Sequence, residues 1–238
     1  LTAAVWIISV SFLIVFAYFC VPAVYARHLR YVLSRKATGA GIIALTFDDG
    51  PGDVLTPALM RILAEHNAKA TFFLLGRSIA GREKIVRQLA EQGHQICSHG
   101  YDHLNHMKVS PVRAINDIKR GWQSINDALG VKHRCYPFRP PYGKLNLISL
   151  LYLLFCKVPI IYWTFDSGDT WSADKRTVRK ISDSAIAGKG AVVLIHDFNR
   201  EDENTGKMVL ESVRSALSYA KDKGLKAVTI SQLFEAGR

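Results

Sequence analysis

Seven short runs set the strongest limit on what this chain can fold into. Residues 42–47 (IIALTF), 70–75 (ATFFLL), 94–98 (HQICS), 135–138 (CYPF), 159–165 (PIIYWTF), 190–195 (GAVVLI) and 226–230 (KAVTI) are brief and rich in β-branched or aromatic residues. Runs of this kind suit strands buried on both faces, as in a parallel sheet covered by helices. Helical spacing fills the intervals. Over 110–129, Ile115, Ile118, Trp122, Ile125 and Leu129 recur every three or four residues, with Ser110-Pro111 as cap and first-turn proline and Gly130 as the stop. Val209, Leu210, Val213 and Leu217 repeat the pattern over 205–223, and Gly93 and Gly224 end helices that feed strands. The alternation predicts an α/β fold with a parallel sheet, open or closed into a barrel, over residues 41–235.

Residues 1–26 carry no charge, and about 20 apolar residues suffice to cross a bilayer as a helix. A cleaved signal peptide ending at VYA (24–26) is the alternative, but its apolar region is usually about 7–15 residues. The reading is therefore a single-pass transmembrane helix, followed by a basic connector at 27–40, with membrane lipid as one partner. Arg27, Arg30, Arg35 and Lys36 follow the span. Basic residues favour the cytoplasmic side, which puts the domain there unless a charged leader precedes Leu1, so both sides stay open. A second apolar stretch, 145–155 (LNLISLLYLLF), is expected to be a buried helix, with a second membrane contact as the alternative.

The net charge is +11, from 31 Lys and Arg against 20 Asp and Glu. Such an excess suits acidic partners, but no helix-turn-helix, zinc-finger or RNP-type pattern is present, so no nucleic acid is expected. Cys20 lies in the apolar run. Cys97, Cys135 and Cys156 show neither metal spacing nor a disulfide framework and are expected to be buried thiols.

Chemistry collects where the strands end. Asp48 and Asp49 close the first run, His99 and His103 follow the third, and Arg139 follows the fourth. Asp166 and Asp169 follow the fifth, and His196 and Asp197 end the sixth. One such end is an ordinary turn, and a lone histidine is an ordinary core residue. Several on one face make a pocket, because ligands bind at the carboxyl ends of parallel strands. His99 and His103, four apart, can face one cation, and a carboxylate completes a three-ligand site. One of the paired acids can then ligate while its neighbour takes a proton from water. His196 is placed to protonate a leaving amine. In FRPPYG (138–143) two prolines stiffen the turn, Arg139 can keep an acid charged, and the Tyr142 N–H can polarise a carbonyl. His106, beyond the turn, is expected at the surface.

These residues carry a resemblance. TFDDGP (46–51), HGYDH (99–103), RPPYG (139–143), FDSGDTW (165–171) and LIHD (194–197) are similar, in order, to the motifs of the NodB-homology polysaccharide deacetylases, the fourth carbohydrate esterase family. KATFFLLG (69–76) and GHQI (93–96) match its framework. The resemblance implies a distorted (β/α) barrel that removes N-acetyl groups from sugars with one divalent metal ion, commonly zinc. It implies Asp49, His99 and His103 as metal ligands, Asp48 as general base and Arg139 as its tuner. It further implies Asp169 orienting His196 as general acid, the Tyr142 backbone at the oxyanion, and Trp171 and Leu194 lining the acetyl pocket. Two departures stand out: Gly100 replaces the usual Ser or Thr after the first metal histidine, and Thr170 separates Asp169 from Trp171. The implied partner is an N-acylated glycan. A cytoplasmic-face deacylase of a lipid-linked sugar, acetyl or formyl, is the alternative, and an inactive glycan-binding protein the alternative of another class.

Overall fold

The computed structural model describes residues 2–170 and 190–236. Helix α1 (Thr2–Ala40) leads into β1 (Ile42–Asp48), α2 (Leu55–Glu65), β2 (Thr71–Leu74), α3 (Gly76–Ile79), α4 (Glu83–Glu91), β3 (Gln95–Ser98) and α5 (Pro111–Leu129). There follow α6 (Leu147–Phe155), β4 (Phe165–Asp166), β5 (Ala191–His196), α7 (Glu203–Asp222), β6 (Lys226–Ala227) and α8 (Ile230–Glu235). The strands pair in parallel in the order β3-β2-β1-β5-β4, and β6 lies beside the first two residues of β1.

The ring closes through single bridges. Phe138 bridges Ser98 on one side and Ile160 on the other, and the chain from Ile160 continues into β4 beside β5. The runs 135–138 and 159–165 are thus not the full strands expected of them. Pro137 and Pro159 have no N–H to give a ladder; their carbonyls accept instead, from Ser98 N–H and Phe138 N–H, each at 2.9 Å. The outcome is the expected distorted α/β barrel.

Every residue of β1 is buried, as a strand covered on both faces must be. Phe47 and Phe72 stack at 4.9 Å in the core, beside fully buried Phe73 and Phe138. Each such ring contributes about 1.5–3 kcal/mol on burial. Helix α5 starts where expected, with Ser110 Oγ accepting from Arg113 N–H at 3.4 Å, and ends at Gly130 in the left-handed region.

Helix α1 passes unbroken through Pro22 and the basic stretch 27–40. It is long and apolar enough to cross a membrane. Most of residues 3–21 are exposed, whereas from Pro22 onward a stripe of Pro22, Ala26, Leu33 and Ala37 is buried against the barrel. At Gly41 (φ +59°) the chain reverses into β1. Helix α6 is buried on one face only: Leu150 and Leu153 are covered, while Ile148, Leu151, Leu154 and Phe155 are exposed. The thiols also depart from expectation. Cys97 is buried, but Cys135 is exposed and Cys156 partly so, and all are free. Lys132, His133 and Arg134 before Cys135 are exposed as well, so that run joins the barrel only at its end.

Candidate active site

The site grows from the end of β1. Asp48 is its last residue and is buried. Asp49 then takes a left-handed backbone (φ 72°), a conformation uncommon outside glycine, which turns the second carboxylate to a different neighbour. His99 follows β3, and its Nδ1 lies 2.8 Å from the Arg139 carbonyl. The N–H donates there, leaving Nε2 bare and aimed at Asp49 Oδ1 (3.6 Å) and Asp48 Oδ2 (3.7 Å). His103, also left-handed (φ 58°), brings its Nε2 to 3.4 Å from the same Asp49 oxygen.

The donor set fits a divalent cation. One ligand atom from each of Asp49, His99 and His103 lies within 4.8 Å of the others. Asp49 Oδ1 is buried with no hydrogen-bond partner, an orphan that a cation would satisfy. Burial pushes His99 well below the ordinary histidine value and His103 down to about 4. Both rings are therefore neutral, as ligands must be. The His99–carbonyl bond fixes the tautomer that a metal-binding ring needs.

Two acid/base groups flank this cluster. Asp48 Oδ1 accepts from Arg139 Nη1 at 2.7 Å, and the same nitrogen reaches Thr46 Oγ1 at 2.8 Å. Arg139 is fully buried, donates to the Tyr162 carbonyl at 3.1 Å and lies 3.9 Å over the Phe73 ring. Burial raises Asp48 to about 6 even against the Arg139 charge. On the other side, His196 ends β5 with its Nδ1 2.9 Å from Asp169 Oδ1. Burial opposes its charged form, but the hydrogen bond and charge of Asp169 lift it to about 9. Asp169 also accepts from Ser167 Oγ at 2.6 Å, from His196 N–H at 3.0 Å and from Arg200 Nη2.

Asp48, Asp49, His99, His103, Tyr142, Leu194 and His196 line one cleft of about 480 Å³, within the range of small-molecule sites. Tyr142 has φ 57°, and the turn's hydrogen bonds run from Gly143 and Lys144 N–H to Pro140 and Pro141, leaving the Tyr142 N–H outside them. Trp171 lies outside the described residues. Three contributors escaped the sequence reading. Arg200, 31 residues on, meets Asp169 only through the fold, whereas Ser167 reaches it locally, two residues before it. Trp163, an aromatic ring in the fifth run, forms a wall of the cleft.

Residues 35–161 match the family model for polysaccharide deacetylases. The chain belongs to the polysaccharide deacetylase family. Among its relatives, it is 35% identical over 196 residues to the peptidoglycan-N-acetylglucosamine deacetylase PgdA of Listeria monocytogenes, covering 81% of this chain and 38% of PgdA. The chain thus spans under two fifths of PgdA's length. It is 32% identical to a chitooligosaccharide deacetylase of Sinorhizobium fredii, covering 80% of this chain and 88% of that one. Among solved structures, the Bacillus subtilis peptidoglycan deacetylase PdaC superposes with a TM-score of 0.71 at 27% identity, over 82% of this chain and 91% of that one.

The packing of this chain's own α5 explains Gly100. It has φ +84°, and any Cβ there would strike Asp117 Oδ2. Asp117 is buried on α5 and its Oδ1 accepts from Asp102 N–H at 2.7 Å, inside the loop that carries His103. A carboxylate reaching in from α5 thus fills the space beside position 100. His106 contradicts its surface expectation. It is fully buried, stacked on Phe138 at 5.8 Å, with Nε2 3.8 Å from Asp117 Oδ2. The loop 99–106 thus tucks His106 inward, its ring on Phe138 and its carbonyl accepting from Asn146 Nδ2 at 2.6 Å.

Proposed function

We propose that this chain is a metal-dependent hydrolase that removes N-acetyl, or similar N-acyl, groups from an amino sugar of a glycan, held at a membrane by α1. The observation that carries the reading is one cleft in which a three-residue cation site lies between a carboxylate at about 6 and a histidine at about 9. At neutral pH the first is ready to accept a proton and the second to give one, the division of labour that amide hydrolysis needs. The names of the relatives, deacetylases of peptidoglycan and of chitooligosaccharide, support a glycan substrate.

A divalent cation such as zinc, held by Asp49, His99 and His103, supplies Lewis-acid activation of water and of the amide carbonyl. Asp48 takes the proton from the attacking water, with Arg139 fixing its second oxygen. The Tyr142 N–H faces the carbonyl oxygen as it becomes negative. His196 Nε2 gives a proton to the departing amine while its Nδ1–H stays on Asp169, which Ser167 and Arg200 hold in place. Leu194 and Trp163 offer an apolar wall to the acyl methyl. The products are a free amine on the sugar and a carboxylic acid.

The test is metal content and acetate release by the full chain purified in detergent and incubated with zinc. About one ion per chain is expected, lost in Asp49→Ala, with acetate released from N-acetylated chitooligosaccharide or peptidoglycan. A chain that binds its ion and frees no acyl group from any amino sugar would sink the reading.

A further inference from the structure

The direction of α1 has a consequence for where the cleft points. Because the chain reverses at Gly41, α1 and β1 run antiparallel, so the amino-terminal end of α1 lies on the side of the strands' carboxyl ends. Contacts along the helix agree. Ala37 sits at the strands' amino ends, where a Cβ at Gly190 would strike the Ala37 and Ile42 carbonyls. Seven residues earlier, Arg30 lies over the Tyr162 and Trp163 rings at 4.7 and 5.0 Å and crowds Gly143, in the turn that borders the cleft.

The heights match as well. From Ala37 back to Pro22 the helix rises about 22 Å at 1.5 Å per residue. From Ile42 to Asp48 the strand rises about 20 Å. Pro22, where the buried stripe begins, is therefore about level with the catalytic carboxylates. Residues 3–21, mostly exposed and apolar, measure about 28 Å as a helix, against about 30 Å for a bilayer's hydrocarbon core. No linker separates the two parts, since α1 is one helix throughout.

The rim at the strands' carboxyl ends has the surface this placement requires. Outside α1, large exposed apolar side chains there include Val54 after β1, Val112 at the start of α5, Tyr142, and Ile148 at the start of α6. Val54 is 78% exposed and Tyr142 59%. Exposed cations stand near them: Arg113 beside Val112 and Lys108 before it. On α1, exposed Arg27 and His28 follow the apolar run by one turn or two. Apolar tips among cations suit an anionic lipid surface, the apolar part entering the headgroup layer and the charges meeting phosphates.

We propose that the catalytic rim lies against the bilayer that α1 enters, so that the cleft opens toward the headgroups and takes its glycan from the membrane surface. The proposal rests on α1 being a membrane span, and the experiment separates the two. In the full chain with Cys20, Cys135 and Cys156 replaced by serine (buried Cys97 retained), single cysteines are placed at Leu13, Val54, Ile148 and Val131 and labelled with bimane. Each variant is reconstituted in vesicles of phosphatidylcholine and phosphatidylglycerol in equal parts, with nitroxides on the acyl chains or on the headgroups. Val131 follows the end of α5, at the opposite end of the barrel.

The expected result is quenching of position 13 by acyl-chain nitroxides, of 54 and 148 by headgroup nitroxides, and none at 131. Quenching at 13 with 54 and 148 unquenched, or with 54, 148 and 131 quenched alike, would overturn the orientation and leave the anchor standing. No quenching at 13 would remove the anchor and the orientation together. Two rim positions on different loops guard against one substitution disturbing its own surroundings.

Discussion

The two arms that flank the cleft use the same parts and reach opposite ends. Each places a buried carboxylate against a guanidinium: Asp48 with Arg139, Asp169 with Arg200. In the first arm the carboxylate is itself the titrating group, and burial keeps it at about 6 despite the cation. In the second arm a histidine is interposed. Burial would raise Asp169, but bonds from His196, Ser167 and Arg200 hold it below the usual carboxylate value, and its charge lifts His196 to about 9. The comparison teaches that an arginine beside an acid does not by itself decide its pKa. What decides is how the cost of burial weighs against the number of donors that share the acid.

The largest effect should come from breaking the first arm at its base. Asp48→Asn keeps shape and loses the acceptor, and acetate release should fall by about 10²–10⁴ while bound metal, measured by atomic absorption, stays near the wild-type level. Breaking the arm at its cation acts on stability. Arg139→Met strands a buried carboxylate, which should cost about 3–5 kcal/mol, read as a lower thermal unfolding midpoint of the full chain; an unchanged midpoint would mean the pair is not buried as described.

The second arm is sharpened by pH. As the proposed general acid, His196 at about 9 stays protonated across neutrality, so the alkaline limb of activity should fall as pH rises through that value, while Asp48 at about 6 sets the acid limb. Asp169→Asn removes the largest of the causes that raise His196, leaving the smaller pull of Asp48 and Asp49 against the burial that lowers it. The alkaline limb of the rate profile should then move down from its wild-type position toward the ordinary histidine value, with a smaller loss at low pH than at high. An alkaline limb that does not move would detach Asp169 from His196.

The smallest effect concerns the acid next to His196. Asp197 is raised by burial to about 7 from an ordinary 3.8. The folded chain therefore holds a proton that the unfolded chain has released, and stability should decline as pH rises from 3.8 toward 7. Asp197→Asn should flatten that decline, as followed by chemical unfolding across the window. A variant with the wild-type slope would show that Asp197 is ionised in its pocket beside Gly50 and Thr56.

Much of this architecture could be read before any coordinates. Asp48, His99, Arg139 and His196 stand at the ends of apolar runs, and a run's end is a local feature that composition and spacing reveal. The turn of Asp49 and His103 into the left-handed region leaves no such trace, nor does the reach of Arg200 to Asp169, since side-chain pairing across the fold has no sequence period. Pro137 and Pro159 were visible, but their effect, single bridges in place of strands, follows from which neighbour each carbonyl meets. His106 misled for the same reason: its burial depends on Asp117, eleven residues on, folding under the loop. The reading of 27–40 as a connector missed that the stripe Ala26, Leu33 and Ala37 keeps a helical spacing across the charged residues.

That stripe gives α1 two standards of tolerance within one unbroken helix. Over residues 3–21, where most side chains face outward, exchanging one large aliphatic for another, such as Val10→Leu, changes nothing that the barrel touches. At Ala26 and Ala37, which are buried against it, added carbons have no room: Ala37→Leu must push the helix off Gly190 and the amino ends of β1 and β5. A drifting sequence would thus keep only hydropathy in the first half and would keep size, residue by residue, in the second.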